Sequence, residues 1–365
     1  MFSNKTSRRK FIKTMAYGSA ASQLWLSRGA LGSEIDEKTA LDSGSVSETA
    51  TEVPANGAEL FSPEMLQYHI EYGDHSRELI KGALDLHVHS SPDCFVRMFS
   101  HVELAIHARQ YGLAGVLLKV HCQGTADRLA FVHKLVSGIE VFGSITLNNS
   151  VGGLNPVAVE SAIGYGAKAV WMPTMDAQNH VDHYGQIGTF GADIPLAWER
   201  RATSRPITLL NEDGKLKKEV HEILELIGSA NIILNIGGHV SYEETLTVLK
   251  AARSLGLEKI IVEHPLHVVT KMPLSRQREV IANGAIINYV AGDLYWPGAP
   301  ASHPIFANNI RDLGAENIVI SSDGGAPGLP PYEMMLASIQ LLIDNDFSDS
   351  DIQLMIRDRP WDLVN

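Results

Sequence analysis

Eight short apolar segments, separated by stretches of helical character, constrain the fold of this 365-residue chain most strongly. Most of these segments are rich in β-branched residues and flanked by glycine or proline, as strands are. They are 83–89, 115–121, 141–148, 167–174, 232–239, 259–264, 285–290 and 317–322. Strands that alternate with helices pair in parallel, and eight such units in about 250 residues predict an α/β fold, the (β/α)8 or TIM barrel.

Helix signals fall between and around these segments. Ser100 and Ser241 are predicted N-caps of helices over 101–111 and 242–255, because a serine hydroxyl can accept a free amide of the first turn. Further helices are predicted over 63–80, 126–136, 216–227, 332–344 and 349–357. The long interval 175–231, which contains one of these helices, is interpreted as an elaborated loop over the barrel mouth.

The first 32 residues carry six basic side chains and no acidic one. Within them Ser-Arg-Arg-Lys-Phe-Ile-Lys at 7–13 resembles the twin-arginine export signal, and a basic amphipathic helix is the alternative interpretation. The resemblance implies a signal peptide over 1–32, the twin-arginine export machinery as a partner and a periplasmic location. Residues 33–58, rich in Ser, Thr and Glu, are predicted to be a disordered linker, which leaves 59–365 for the barrel and its helical extensions.

The net charge of −12 conceals a more acidic body, in which 24 basic face 42 acidic side chains after residue 32. This balance argues against nucleic acid as a partner and leaves a small-molecule substrate and a possible homo-oligomer. No apolar stretch is long enough to predict a permanent membrane span. Cys94 and Cys122 are interpreted as two partly buried free thiols, with a bridge between them as the alternative in an oxidising compartment.

The predicted strands end in residues that bind metals. The first ends in Asp85-Leu-His-Val-His89, and because strand side chains alternate, His87 and His89 are expected to face the barrel mouth together. Two imidazoles so placed can share one divalent ion. Later strands end in Lys119, His239, His264 and Asp323. Active sites of such barrels lie at these strand ends, so the order in register with eight strands is more specific than any single residue.

This order is similar to that of the amidohydrolase superfamily, which places HxH on strand one, histidines on strands five and six, and an aspartate on strand eight. The resemblance covers roughly 83–325 and indicates an exported subgroup. It implies one or two divalent ions, zinc foremost. It also implies His87, His89 and Asp323 as metal ligands, and His239 and His264 as ligands of a second ion or as groups that polarise the substrate.

The chain departs from the superfamily at strand four, which ends in Trp171-Met-Pro-Thr174 without the usual lysine or glutamate. The lysine at a strand end is instead Lys119, on strand two. A lysine aimed into a barrel is costly unless it is paired or modified. Three alternatives stay open: a carboxylated ligand bridging two metals, an ammonium group that anchors substrate, and a structural ion pair. Without carboxylation a mononuclear site is favoured.

Secondary candidates for substrate binding are Arg97, His121, His180 and Tyr289, with His183 and Asp293 beside them in the chain. Arg97 could grip a carboxylate or phosphate. His121 stands two residues past Lys119, on the same strand face. His180 or His183 could instead supply the ligand missing from strand four. Each also has a structural interpretation, as a solvated or supporting side chain.

The chemistry predicted is metal-dependent hydrolysis of an amide, ester or lactone bond in a small molecule. The ion lowers the pKa of its water, Asp323 takes the proton and passes it to the leaving group, and His239 or the ion stabilises the oxyanion. Three alternatives are a decarboxylase on the same barrel, a PHP-type phosphoesterase and a non-catalytic exported binding protein. The phosphoesterase family shares the opening motif but ends in Asp-x-His, whereas here Asp323 is followed by Gly324-Gly325, with no histidine.

Overall fold

The computed structural model describes residues 71–191, 194–199, 204–295 and 303–365. The export motif, the linker and the start of the helix predicted over 63–80 lie outside these residues. That helix appears as α1, Asp74–Leu79. No helix in the described ranges is both long and apolar enough to cross a bilayer.

Each predicted strand is present, most of them shorter than predicted. Their bounds are β1 Leu84–His89, β2 Gly115–Lys119, β3 Glu140–Phe142, β4 Ser144–Thr146, β5 Ala169–Trp171, β6 Ile233–Gly237, β7 Ile260–Glu263, β8 Ile286–Val290 and β9 Ile318–Ser321. Neighbours pair in parallel, in the order β1 to β3 and β4 to β9. The third predicted strand is divided into β3 and β4 at Gly143, where a Cβ atom would lie 2.5 Å from Ala126 Cα.

Backbone hydrogen bonds connect the last strand to the first. The amide of Asp323 donates to the His87 carbonyl at 2.7 Å, and the amide of His89 donates to the Gly324 carbonyl at 2.9 Å. The buried Asp85 carboxylate reinforces this seam by accepting the Ser322 hydroxyl and the Ser322 amide. The strand order and this seam give the (β/α)8 barrel that the sequence predicts.

Most of the helices after α1 form an outer layer around the strands. These helices are α2 His101–Gln110, α3 Leu129–Leu135, α4 Pro156–Gly164, α5 Gln178–Tyr184, α6 Lys218–Ala230, α7 Tyr242–Ser254, α8 Leu274–Ala282, α9 Gly292–Tyr295, α10 His303–Leu313, α11 Pro331–Asp344, α12 Asp349–Gln353 and α13 Arg359–Val364. Two of them lie elsewhere, since α9 borders the cavity at the barrel mouth and α13 lies below the barrel. Ser100 and Ser241 cap α2 and α7 as predicted, each through a reciprocal bond with a glutamate three residues on.

Apolar side chains fill the barrel interior and close its lower end. Leu84, Leu86 and Trp171 belong to this inner cluster, which Leu363 and Val364 of α13 complete. The indole of Trp361 donates to the Gly82 carbonyl at 3.1 Å and so fixes α13 below β1. Because this end is filled with carbon, the polar strand ends at the opposite rim are the part of the barrel left for chemistry.

The two cysteines form a disulfide, so the expectation of two free thiols is wrong. Cys94 lies on the loop after β1 and Cys122 just after β2, and their Cα atoms are 5.9 Å apart. The two positions are 28 residues apart in sequence, and only the pairing of β1 with β2 brings their loops together.

Candidate metal centre

The carboxylate of Asp323 is the centre of the site. Its Oδ1 atom lies 3.0 Å from Nε2 of both His87 and His89, and its Oδ2 atom lies 3.8 Å from Nε2 of His264. Asp323 has φ 50, a left-handed conformation that sharply turns the chain after β9 and aims the side chain into the barrel mouth. Gly292 makes room for it, since a Cβ atom there would lie 2.8 Å from Oδ2.

The other ring nitrogen of each histidine lies beside an oxygen acceptor. These pairs are His87 Nδ1 with Glu263 Oε2 at 3.1 Å, His264 Nδ1 with Asp293 Oδ1 at 3.2 Å, and His89 Nδ1 with the Lys119 carbonyl oxygen at 3.1 Å. Since ionised carboxylates and carbonyls only accept, each bond requires a proton on Nδ1. Nε2 is then the nitrogen that either shares a second proton with Asp323 or gives its lone pair to a cation. For His89, Arg97 Nη2 is a second neighbour of Nδ1 at 3.1 Å, so cation binding at Nε2 would select the bond to the carbonyl.

Three imidazole Nε2 atoms therefore converge on one carboxylate, an arrangement in which a divalent cation can replace the shared protons. The ligand atoms of His87, His264 and Asp323 lie within 4.8 Å of one another. Metal-bound histidines commonly donate their second nitrogen to a protein oxygen, as these do. The donor set of imidazole nitrogen and carboxylate oxygen fits zinc and similar ions.

A second group, His89, Asp93 and His121, is equally compact but less suited to an ion. Asp93 Oδ2 already accepts Nη2 of Arg97 at 2.6 Å in a buried ion pair. Its Oδ1 accepts the amides of Cys94 and His121. A carboxylate with these partners positions the loops around the site and has little capacity left for a metal.

The surroundings favour an ionised Asp323 and a neutral His89, which suit metal binding, but a protonated His264. Burial raises the pKa of Asp323, but the nearby His87 and His264 outweigh it and hold that pKa well below its ordinary value. Burial, aided by the charge of Arg97, lowers the pKa of His89 well below its ordinary value. Burial also lowers the pKa of His264, yet Asp293 and Asp323 outweigh it, so a proton and a cation compete for His264 Nε2.

Lys119 lies at the end of β2, almost completely buried at 2% exposure. Its Nζ atom is 2.9 Å from His87 Nε2 and 4.3 Å from the ring centroid of Trp171. Burial lowers the pKa of Lys119 to about 8. β5 ends in the aromatic ring of Trp171, at the strand end where the superfamily usually has a lysine or glutamate ligand. Among the described residues Nζ forms no ion pair, so the structural ion-pair interpretation loses support.

His239, which follows β6, forms a histidine relay with His180. Its Nδ1 atom lies 2.9 Å from His180 Nδ1, and His180 Nε2 lies 2.8 Å from the Thr189 carbonyl oxygen. The carbonyl accepts a proton from His180 Nε2, so His180 Nδ1 must accept one from His239 Nδ1. Burial lowers the pKa of His180 to about 4 and that of His239 well below its ordinary value, so both rings are neutral.

The relay leaves a lone pair on Nε2 of His239, which lines the cavity at the barrel mouth. Such a nitrogen can bind a cation or accept a proton. It has no proton to donate to an oxyanion. This tautomer suits the metal-ligand role predicted for His239 and does not suit its predicted oxyanion role.

Arg97 and His121 line the cavity, as their predicted role requires. The ring of His121 stacks on His89 at 4.9 Å, and its Nδ1 lies 2.9 Å from the Thr174 hydroxyl. Asp293 also lines the cavity, through its bond to His264.

Three other candidates lie away from the cavity wall. Tyr289 packs against Phe306 of α10 and its hydroxyl bonds to Gln277 of α8. Side chains alternate along β8, so the neighbouring Asn288 points into the barrel and Tyr289 points outward to the helices. The structure therefore gives Tyr289 no contact with a substrate. His180 lies behind His239, and His183 is exposed on α5.

Sequence reasoning missed Glu263, Asp93 and His267. Glu263 holds His87 at one oxygen, which also accepts the Asn288 amide, while its other oxygen has no partner among the described residues. Glu263 could have been predicted as a site residue, because it stands next to His264 at the end of a predicted strand. His267, three residues later, lines the cavity without any motif around it.

The fold and this cluster define a class: (β/α)8 barrels with histidines and an aspartate gathered at the C-terminal strand ends. Within it, the chain belongs to the family of unknown function DUF6282, whose model matches residues 82–288. No curated protein matches the sequence.

Solved structures with the same fold share little sequence with this chain. An amidohydrolase from Pseudomonas aeruginosa is 13% identical, with a TM-score of 0.54, covering 79% of this chain and 97% of its own. A putative 2-pyrone-4,6-dicarboxylic acid hydrolase from Pseudomonas putida is 12% identical, with a TM-score of 0.51 and coverage of 78% and 97%. The probable dipeptidase PvdM from Pseudomonas aeruginosa is 13% identical, with a TM-score of 0.52 and coverage of 83% and 99%. At this identity the likeness establishes the fold alone.

Proposed function

We propose that this protein is a metal-dependent hydrolase that cleaves a carbonyl-type bond, an amide, ester or lactone, in a small molecule. The observation that carries the proposal is the convergence of His87 Nε2 and His264 Nε2 on Asp323, each ring held from behind by a carboxylate. The hydrolase names of the proteins that share the fold agree with it.

The residues that would hold the ion are His87, His89, His264 and Asp323, and His239 would be a ligand of a second ion. We propose zinc, because imidazoles with one carboxylate are its usual ligands. When bound, such an ion supplies an acidified water and a Lewis acid for the carbonyl. Lys119 would serve either as a carboxylated ligand or as an ammonium group for the substrate.

The chain itself handles the proton and the substrate. Asp323, held ionised by its histidine neighbours, accepts the proton of the attacking water and returns it to the leaving group. Arg97 and His121 line the cavity together with the apolar Phe190 and Ile194. This lining suits a small substrate with an anionic end and a carbon body.

We further propose that the protein is exported to the periplasm by the twin-arginine pathway. The motif at 7–13 is the first support. The Cys94–Cys122 disulfide is the second, because such bonds persist in oxidising compartments. Fractionation of cells expressing the chain with Arg8 and Arg9 replaced by lysine tests this: periplasmic accumulation equal to the unchanged chain would contradict it.

Metal reconstitution tests the proposed chemistry. Chelator-treated protein should bind one or two equivalents of Zn²⁺, Co²⁺ or Mn²⁺ and thereby gain activity in a screen of esters, lactones and N-acyl amino acids. The variant His89→Ala should lose both metal and activity. Its matched control is His221→Ala, on the exposed face of α6, which should lose neither. Wild-type protein without stoichiometric metal would contradict the proposal, and release of CO₂ from carboxylated substrates would favour a decarboxylase.

A further inference from the structure

His267 lies on the loop between β7 and α8, and none of the roles above uses it. It lines the site cavity, with its ring centroid 5.4 Å from that of His239 and 5.3 Å from that of His264. The loop is ordered by backbone bonds, since the amides of Thr270 and Lys271 donate to the His267 carbonyl at 3.1 and 2.8 Å. The ring therefore has a fixed place beside the proposed ligands.

The tautomer of His267 is opposite to that of its neighbours. The Val269 amide donates to His267 Nδ1 at 3.3 Å, so this nitrogen offers its lone pair to the backbone and the proton of a neutral ring lies on Nε2. His239 has its proton on Nδ1 and presents a lone pair, whereas His264 donates from Nδ1 to Asp293 and has Asp323 beside its Nε2. His121 is bound to the Thr174 hydroxyl, which can donate or accept and so fixes neither form.

An oxyanion requires a donor already aimed at the position where charge develops. Among the described histidines of the cavity, His267 is the one whose partner fixes a proton on Nε2. We propose that His267 donates this N–H to the carbonyl oxygen of the substrate, in place of His239. This inference rests on the proposed hydrolysis and assigns one residue within it.

In the step that follows, the water oxygen bonds to the carbonyl carbon, and the C=O π pair moves onto the oxygen that His267 contacts. The water proton passes to Asp323. When the π bond re-forms, the bond to the leaving nitrogen or oxygen breaks, and the proton from Asp323 completes that atom. His267 keeps its own proton throughout and stabilises the oxyanion by hydrogen bonding.

Kinetics of three variants test the role. In Zn²⁺-reconstituted enzyme with 4-nitrophenyl acetate and δ-valerolactone as probes, His267→Phe should lower kcat by about 10²- to 10³-fold with little change in KM, the effect of removing one oxyanion donor. His267→Gln, whose amide can donate from a similar position, should recover at least a tenth of the activity. His221→Phe, on the exposed face of α6, is the control. Metal stoichiometry should be equal in all of them.

Histidine tautomers can be measured without activity. In ¹⁵N-histidine-labelled, metal-free protein, two-bond ¹H–¹⁵N spectra, assigned with His267→Gln and His239→Gln, should show His267 protonated at Nε2 and His239 at Nδ1. The opposite form of His267, or full kcat in a metal-loaded His267→Phe, would overturn the inference. Wild-type enzyme that binds no metal would instead overturn the proposed hydrolysis, and with it this role, whichever tautomer the spectra show.

Discussion

The two sides of the metal centre are built in different ways. On the β1–β2 side, the Cys94–Cys122 disulfide joins the two loops covalently. The buried Asp93 pairs with Arg97 and also accepts the His121 amide at 2.9 Å. These connections tie the loop that follows His89 to the end of β2.

On the β6–β7 side the histidines are held by hydrogen bonds and unusual backbone angles. Gly237 and Gly238 have φ 89 and 75, and His264 has φ 52. A Cβ atom at Gly238 would lie 2.9 Å from His264 Cδ2, so the glycine lets the two strand ends approach. The comparison shows that the β1–β2 side fixes the positions of the ligands, whereas the β6–β7 side fixes which ring nitrogens carry protons. Asp323 faces both sides.

The largest expected effect follows from removing the carboxylate that the two sides share. Asp323→Asn should lower kcat by about 10²- to 10⁴-fold, the contribution of a general acid and base. Asparagine tolerates the left-handed backbone of this position, so the fold should persist. Metal analysis and kcat for the best substrate of the screen check this. A metal-loaded variant with near wild-type turnover would show that neither side depends on this carboxylate.

The covalent tie of the β1–β2 side can be broken directly. Replacing both Cys94 and Cys122 with serine should cost about 3–4 kcal/mol of unfolding free energy, because the disulfide closes a loop with a sequence separation of 28. Urea unfolding of metal-free protein, with the wild type measured with and without reductant, gives the difference. Equal midpoints would mean that the hydrogen bonds of this side suffice without the disulfide.

The same side should respond to acid through His101, the first residue of α2. Burial, followed by the charge of Arg128, lowers the pKa of His101 to about 4. Between pH 6.5 and 4 the unfolded chain therefore binds more protons than the folded one, so stability is full above 6.5 and is lost as pH falls through this window. The loss should be about 3 kcal/mol.

His101→Asn should flatten this part of the stability profile in urea unfolding measured at several pH values. His75→Asn, at an exposed position paired with Asp349, is the matched control and should leave the profile unchanged. A wild-type profile that is flat between pH 6.5 and 4 would contradict the assignment to His101.

The smallest effect concerns the bond that crosses from one side to the other. Glu263→Gln weakens the partner of His87 Nδ1 and should reduce metal affinity by about 10- to 100-fold, as is usual for such supporting residues. Competition with a chromophoric chelator measures it. Glu244→Gln, a buried glutamate that caps α7, should lower stability without changing affinity. Equal affinity of the wild type and Glu263→Gln would mean that His87 is positioned by its strand alone.

The strands and the main ligand candidates could be predicted because each depends on a local pattern. Apolar runs between glycines and prolines located the strands. The division of one strand at Gly143 could not be predicted, because it depends on the packing of Gly143 on Ala126, which no local sequence pattern indicates. The i, i+2 spacing placed His87 and His89 on one face, and their Nε2 atoms do lie at one oxygen. Tyr289 shows the limit, because a register difference of one residue decides which face enters the cavity.

By itself the sequence determined which residue types stand at the strand ends, because periodicity and chain order are properties of neighbouring residues. Only the tertiary structure decided their chemistry. The pairing of β1 with β2 joined Cys94 to Cys122. Glu263, His180 and Val269 selected the protons of His87, His239 and His267. An imidazole binds or donates according to the partner of its second nitrogen, and for His87 and His239 that partner is far away in the chain.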